Sequence, residues 1–174
     1  MQAWFECHHP EQQRPAQTAA AARLLPRWIR FIVCMMAVGL LAFAAHPAPV
    51  WMQLVWQISM AALAAVAWRA RAHVLASSTA ELQASLPADA ALYAGACGLC
   101  WAAGAGAWCL GVPSDLAVMA VAVSLALTLH VAVSWFFLPE AVVAFAAPVL
   151  LGSVAIVLVA VRPPLRPVGV LLIA

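Results

Sequence analysis

Apolar residues fill five long stretches of the chain, over about 28–45, 50–68, 90–112, 116–138 and 141–161, and short polar or proline-bearing segments separate them. A hydrocarbon core about 30 Å thick takes about 20 apolar helical residues to cross. Four of the stretches reach that length comfortably, and the first lies at the lower limit. Lipid offers no water to the backbone, so each stretch has to close its own hydrogen bonds as a helix. A transmembrane barrel would alternate apolar and polar residues over about 10 positions. Residues 116–129 instead stay apolar or small on all sides. The pattern predicts an all-α, polytopic transmembrane helix bundle of five spans.

The end of the chain adds to this count. After Arg162-Pro163-Pro164-Leu165-Arg166-Pro167 it runs through seven apolar residues, 168–174. Seven residues are too few to cross a bilayer. They read as the opening of a sixth helix in a truncated chain, with docking of the segment against the bundle as the alternative.

Composition narrows the class further. Hydrophobic residues make up 67% of the chain and charged residues 8%, against about 25% charged in a soluble domain. A net charge of +2 gives no footing for nucleic acid. The positions of the charges are more informative than their sum. Arg23, Arg27 and Arg30 precede span one, Arg69 and Arg71 follow span two, and the loop between those spans, His46-Pro47-Ala48-Pro49, has no formal charge. The positive-inside rule places both Arg groups in the cytoplasm. Alternation then puts 113–115 outside and Pro139-Glu140 inside. It also sends Arg162 and Arg166 outward, against the rule. Either this short Pro-rich loop does not overrule the upstream signals, or one span is re-entrant, and the length of spans four and five favours the first. Span one carries Arg before it and a small-x-small Ala42-Phe43-Ala44 within it. Its long polar leader and the four spans that follow favour an uncleaved signal anchor over a cleaved signal peptide. The expected location is the bacterial inner membrane, with the N-terminus cytoplasmic.

Residues 1–22 are polar, with Pro10 and Pro15, and read as a flexible cytoplasmic tail; 23–174 form the bundle. Trp51 and Trp56 begin span two and Trp68 ends it. Trp favours the headgroup level, so Trp51 and Trp68 should mark the two membrane faces. The segment 69–89 is expected to be a cytoplasmic linker. Ser78-Thr79-Ala80-Glu81 has capping-box spacing, and Leu75, Leu82 and Leu86 share a helical face, which predicts a short amphipathic surface helix. Pro87 should end it, and Asp89 should cap span three. Span three holds Gly95, Gly98, Gly104 and Gly106 among many Ala, which suits close helix contact in lipid, so it should be central. Pro148 lies inside span five and should kink it.

Few residues carry chemistry. Cys97 and Cys100 form a Cys-x-x-Cys with no second pair, so zinc, which takes four ligands, is disfavoured. The two thiols could share a helix face and hold Cu(I) with Met partners, but packing is the simpler role. The five Cys (7, 34, 97, 100 and 109) are odd in number and do not form a secreted disulfide framework. Cys7-His8-His9 with Glu6 and Glu11 is a metal-like cluster in composition only. His130 is the lone His well inside a span. Ionisable groups in lipid are costly and functional by default, so a ligand contact, proton sensing or an axial haem or chlorin bond are its candidate roles. Against these stands a simple interhelical hydrogen bond to Ser or Thr. Asp115 is expected to cap span four, and Glu140 to be solvated or to cap span five. Nucleotide-loop, nucleophile-elbow and zincin motifs are absent, and the chain is not expected to be an enzyme.

The Arg-flanked first hairpin, the polar linker and the small-residue run LYAGACGLCWAAGAGAWCLGVPSD (92–115), followed by the paired spans of 116–159 with a Leu-Pro-x-Ala connection, resemble the N-terminal multi-span sensor region of bacterial membrane histidine kinases and diguanylate cyclases. The resemblance covers 23–174 and implies a bundle of about six helices that passes a membrane or small-ligand signal to a cytoplasmic output module or partner. On that reading His130, Ser134 and Trp101 are the first ligand-binding candidates. The alternative is a structural or cofactor-bearing accessory subunit of a larger membrane complex, in which the small-residue faces pack on other helices or on further copies of the chain. A transporter is disfavoured by the scarcity of intramembrane charge.

Overall fold

The computed structural model of the chain describes residues 26–41, 50–76, 80–110, 112–136, 138–161 and 166–173. The expectations for 1–22, including the Cys7-His8-His9 cluster, for Arg23 and for the Pro47/Pro49 turn lie outside these residues. Helix α1 covers 26–41. It is followed by α2 (Val50–Ala76), α3 (Ala80–Cys109), α4 (Ser114–Ser134), α5 (Pro139–Val159) and α6 (Arg166–Ile173). Among the described residues there is no strand.

Among the described residues four stretches are long and apolar enough to cross a membrane: Val50–Ala72, Ala88–Cys109, Ser114–Ser134 and Pro139–Val159. At 1.5 Å per residue the described part of α1 rises only about 24 Å, and the remainder of the expected first span, 42–45, is outside the described residues. The structure therefore shows four candidate crossings of the five expected.

Burial is consistent with lipid contact for these helices. On α4 a stripe of Ser114, Ala117, Val121, Ser124, Leu127 and Val131 is buried, at the 3–4-residue spacing of one helix face. In water the opposite face would be polar. Here it carries the exposed Met119, Val123, Leu129 and Val133. The inside holds the polar groups instead. Ser124 is 2% exposed and Ser153 1%, and each hydroxyl donates to the carbonyl four residues back, Ser124 Oγ to Ala120 at 2.8 Å and Ser153 Oγ to Val149 at 2.8 Å. An apolar exterior, with these two hydroxyls satisfied inside, suits a bilayer. The chain is thus a multi-pass helical membrane protein.

Helix α3 makes its most extensive contact with α5 and also meets α2 and α4. Small residues allow this approach. A methyl on Gly98 would lie 2.5 Å from the Phe145 carbonyl oxygen and 2.9 Å from Pro148 Cγ, and one on Gly152 would lie 2.9 Å from Ala102 Cβ. The Pro148 ring thus sits against the bare backbone of Gly98. Two core clusters result. One joins Trp28, Ile32, Trp56, Met60, Cys97 and Phe145, with others, at the end where α1 and α5 begin. The second, at the opposite end, joins Cys109, Ala117, Val121, Ile156, Val157 and Val161.

Several local expectations give way. Helix α2 continues through Arg69 and Arg71 to Ala76, and α3 starts at Ala80, so helix occupies most of the 69–89 segment. Pro87 and Asp89 lie inside α3 rather than at a boundary. Pro87 precedes the apolar stretch that begins at Ala88; this close to the membrane surface, water can satisfy the carbonyl that loses its partner. Asp115 is not the cap of α4. The N-cap is Pro113, with no side-chain cap bond, and Asp115 lies in the first turn, where its charge favours the helix dipole. Glu140 is exposed in the first turn of α5, behind Pro139, and makes no cap bond.

The short α6 packs against α4 and α5, with Ile173 on the second core cluster. Arg166 fastens its start. Its Nη2 donates to the Leu158 carbonyl at 2.9 Å and its Nε to the Val161 carbonyl at 3.1 Å. The last carbonyls of α5 lack helical donors, so this cation serves them and favours the negative end of the dipole.

Candidate functional site

The most informative space in the bundle is a cavity of ≈ 210 Å³ between α1, α3 and α4. Met35, Val38 and Gly39 come from α1, and Trp101, Gly104, Ala105 and Trp108 from α3. Met119, Ala120 and Val123 come from α4, and Trp56 reaches in from α2. Helical spacing explains the α3 wall, since positions 101, 104, 105 and 108 share one face.

Trp56 is the keystone of this wall. A methyl on Gly39 or on Gly104 would overlap its indole ring, so the ring occupies the space between two helices that both lack a side chain there. Its Nε1 donates to the Cys100 carbonyl at 3.1 Å, and its ring meets Trp101 edge-on at 6.3 Å. Trp101 Nε1 in turn donates to Ser124 Oγ at 3.1 Å, and Thr128 Oγ1 donates to the Ser124 carbonyl at 2.9 Å. Two of the three indoles in the wall therefore have both ring orientation and N–H direction held by named partners.

The mouth of the cavity faces outward from the bundle. Val38 is 55% exposed, Met119 60% and Val123 49%. All three lie on helix faces that meet lipid, so access runs sideways from the bilayer.

Of the residues singled out by sequence, Trp101 lines this cavity and His130 and Ser134 do not. His130 is exposed near the end of α4 and stacks on Phe31 of α1, with centroids 5.4 Å apart. Ser134 is the last residue of α4 and half-buried. The three are not brought into one site. Instead His130 and Phe31 border an aromatic cluster in which Trp28 stacks on Phe31 at 5.4 Å and meets Trp135 and Phe145 edge-on at 6.0 and 6.1 Å.

Cys97 is buried in the first core cluster and Cys100 is half-buried beside it. Among the described residues no group of three or more His, Cys, Asp or Glu could hold a metal ion. No His lines the cavity; His130 stands apart from it with its ring stacked on Phe31.

Arg27 and Arg30 lie exposed in the first turns of α1, Arg30 Nε donating to the Pro26 carbonyl at 3.3 Å. The Arg71 guanidinium stands 5.5 Å from the centre of the Trp68 ring. Trp51 and Trp68 are both exposed and 17 positions apart, about 26 Å along a helix, a spacing that matches a hydrocarbon core.

Sequence reading missed Trp56 as a wall residue, along with Met35, Gly39, Gly104 and Met119, and missed Ser124 as the partner of Trp101. One signal was available. Trp56 lies six positions inside span two, below the level where Trp anchors, and a deep Trp needs a partner for its N–H. Comparison with known protein families, curated proteins and solved structures finds no match to this chain.

Proposed function

We propose that the chain is a membrane-embedded signal-input domain that senses a lipophilic or membrane-state signal and passes it to a cytoplasmic output module or partner, without chemistry of its own. The observation that carries this reading is the aromatic cavity open to the bilayer and its place in the packing. Ala105, Trp108 and Ala120 line the cavity and also pack on the second core cluster, which Ile173 of α6 joins. Filling or emptying the cavity would therefore press on the packing that seats α6 at the outer end and, through Trp56, Trp101 and Trp108, on the first core cluster at the cytoplasmic end. A ligand shifts such an equilibrium by its differential affinity for the two packings. We place the domain in a bacterial inner membrane with its amino end in the cytoplasm, on the strength of the Arg groups alone.

The test is hydrogen–deuterium exchange of 166–173 in nanodiscs of differing lipid composition, alongside Ala120→Phe, which fills the cavity with protein. Exchange of α6 should change with composition and become insensitive to it in the variant. Exchange that stays the same under every condition refutes the proposal.

A second reading, an assembly subunit of a larger complex, is favoured by α2. This helix leaves Val50, Trp51, Leu54, Val55 and Ile58 exposed along one length. Purification with partners in fixed stoichiometry would support it, and a monodisperse single chain would count against it.

A further inference from the structure

The cavity described above accepts a narrower class of ligand than "lipophilic" conveys, and this inference deepens the signal-input reading and rests on the same space. We propose that it holds the terminal segment of a straight acyl chain from a surrounding membrane lipid.

The wall chemistry points this way. Its aliphatic part is the side chains of Met35, Val38, Ala105, Met119, Ala120 and Val123. The indole N–H groups of Trp56 and Trp101 are already spent on the Cys100 carbonyl and Ser124, so these rings offer the ligand only their faces. An occupant gains contact and dispersion here, and a polar group brought inside would lose its partners. Free fatty acid carboxylates and lipid headgroups therefore stay outside, and only the hydrocarbon enters.

Size narrows the class again. Pockets for drug-sized molecules run from about 300 Å³ upward, and this one is ≈ 210 Å³. A space below that range suits the end of a narrow chain. The opening between Val38, Met119 and Val123 lies on the lipid-facing surface, where acyl chains are the prevailing solute. Trp56 is wedged between Gly39 and Gly104, so one wall is set before any ligand arrives, which lowers the ordering cost of binding. The two Met side chains at the sides can adjust to a flexible chain.

The test uses the full chain in detergent, with a palmitoyl probe carrying a diazirine near its methyl end. Photolabelled residues are mapped by mass spectrometry across a range of probe concentrations. Labelling of Trp101, Met119 or their neighbours should saturate, whereas contact along the outer surface should rise in proportion to probe. Excess unlabelled palmitate should compete, and excess isoprenoid alcohol should compete at least fivefold less well. Ala120→Phe should cut the saturable labelling at least fivefold, and Leu151→Phe, on the exposed face of α5, should leave it unchanged. If Ala120→Phe does not yield a monodisperse protein, Ala105→Leu serves in its place. Labelling that never saturates, that survives the filling variant, or that isoprenoid alcohol displaces more readily overturns the proposal. Saturable labelling with no response of α6 would support the acyl-chain site and refute only its role in signalling.

Discussion

Two glycines two positions apart on α3 should respond in opposite directions to the same added methyl. Gly104 faces Trp56, and a methyl there would overlap the indole, with Cδ1 at 2.5 Å and Cε2 at 2.8 Å. Gly106 has nothing within 4 Å. Gly104→Ala gains about 1 kcal/mol of helix propensity. Against this stand about 1–3 kcal/mol for overpacking a rigid ring and about 0.6 kcal/mol for the membrane hydrogen bond to Cys100 that the displaced ring gives up. The net expectation is a loss of about 0.6–2.6 kcal/mol. Gly106→Ala keeps the propensity gain without the overlap and should stabilise by up to about 1 kcal/mol. The two variants should therefore differ by about 1.6–3.6 kcal/mol. Equilibrium unfolding in mixed micelles, titrated with a denaturing detergent and followed by circular dichroism, measures that gap. Trp56→Leu provides an internal check, because a smaller side chain should relieve the overlap and leave Gly104→Ala with its propensity gain of up to about 1 kcal/mol, as at Gly106. Equal stability of Gly104→Ala and Gly106→Ala in the native Trp56 background would refute the wedge between α1 and α3.

Three further outcomes follow from other contacts. Gly98→Ala should destabilise more than Gly104→Ala in the same titration, because the atom it meets at 2.5 Å is the Phe145 backbone carbonyl, which cannot swing aside as a side chain can. Ser124→Ala should cost about 0.6–1.7 kcal/mol by leaving the Trp101 N–H without its acceptor, and should shift tryptophan emission; an unchanged stability and spectrum would count against the bond. Arg166→Ala should release α6 from the Leu158 and Val161 carbonyls, seen as faster amide exchange and proteolysis confined to 166–173. Arg166→Lys should restore the protection only in part, since a point charge cannot reproduce the two-nitrogen fork.

Much of the architecture was legible from residue order. The lengths of the apolar stretches announced helices that cross lipid, and among the described residues the structure shows four long and apolar enough to do so. The glycines of span three announced a helix meant for close contact, and Gly98 and Gly104 make such contacts with α5 and α2. Boundaries were read less well. Pro87 and Asp89 looked like punctuation, yet α3 runs through both. Proline stops a helix by removing one donor and crowding one carbonyl, and near a membrane surface water can cover that single loss. The site was read least well. His130 stood out because ionisable groups in lipid are rare, but the structure puts it at the rim against Phe31. Trp56 did not stand out, because Trp near the start of a span reads as an interface anchor.

The sequence by itself determined the solvent, the helical state and the approximate length of each crossing. Those follow from local demands, since every backbone group in hydrocarbon has to be satisfied within its own segment. It did not determine which face of each helix turns inward. In water the polar face marks the outside, but in lipid both faces are apolar, so Met119 and Val121 are equivalent letters until α5 and α1 are placed beside them. Only the tertiary structure decided that Val121 is buried, that Met119 borders a cavity, and that Trp56 closes it between two glycines. Shape complementarity between helices made those choices, because packing rather than hydrophobic exclusion drives helix association in a membrane.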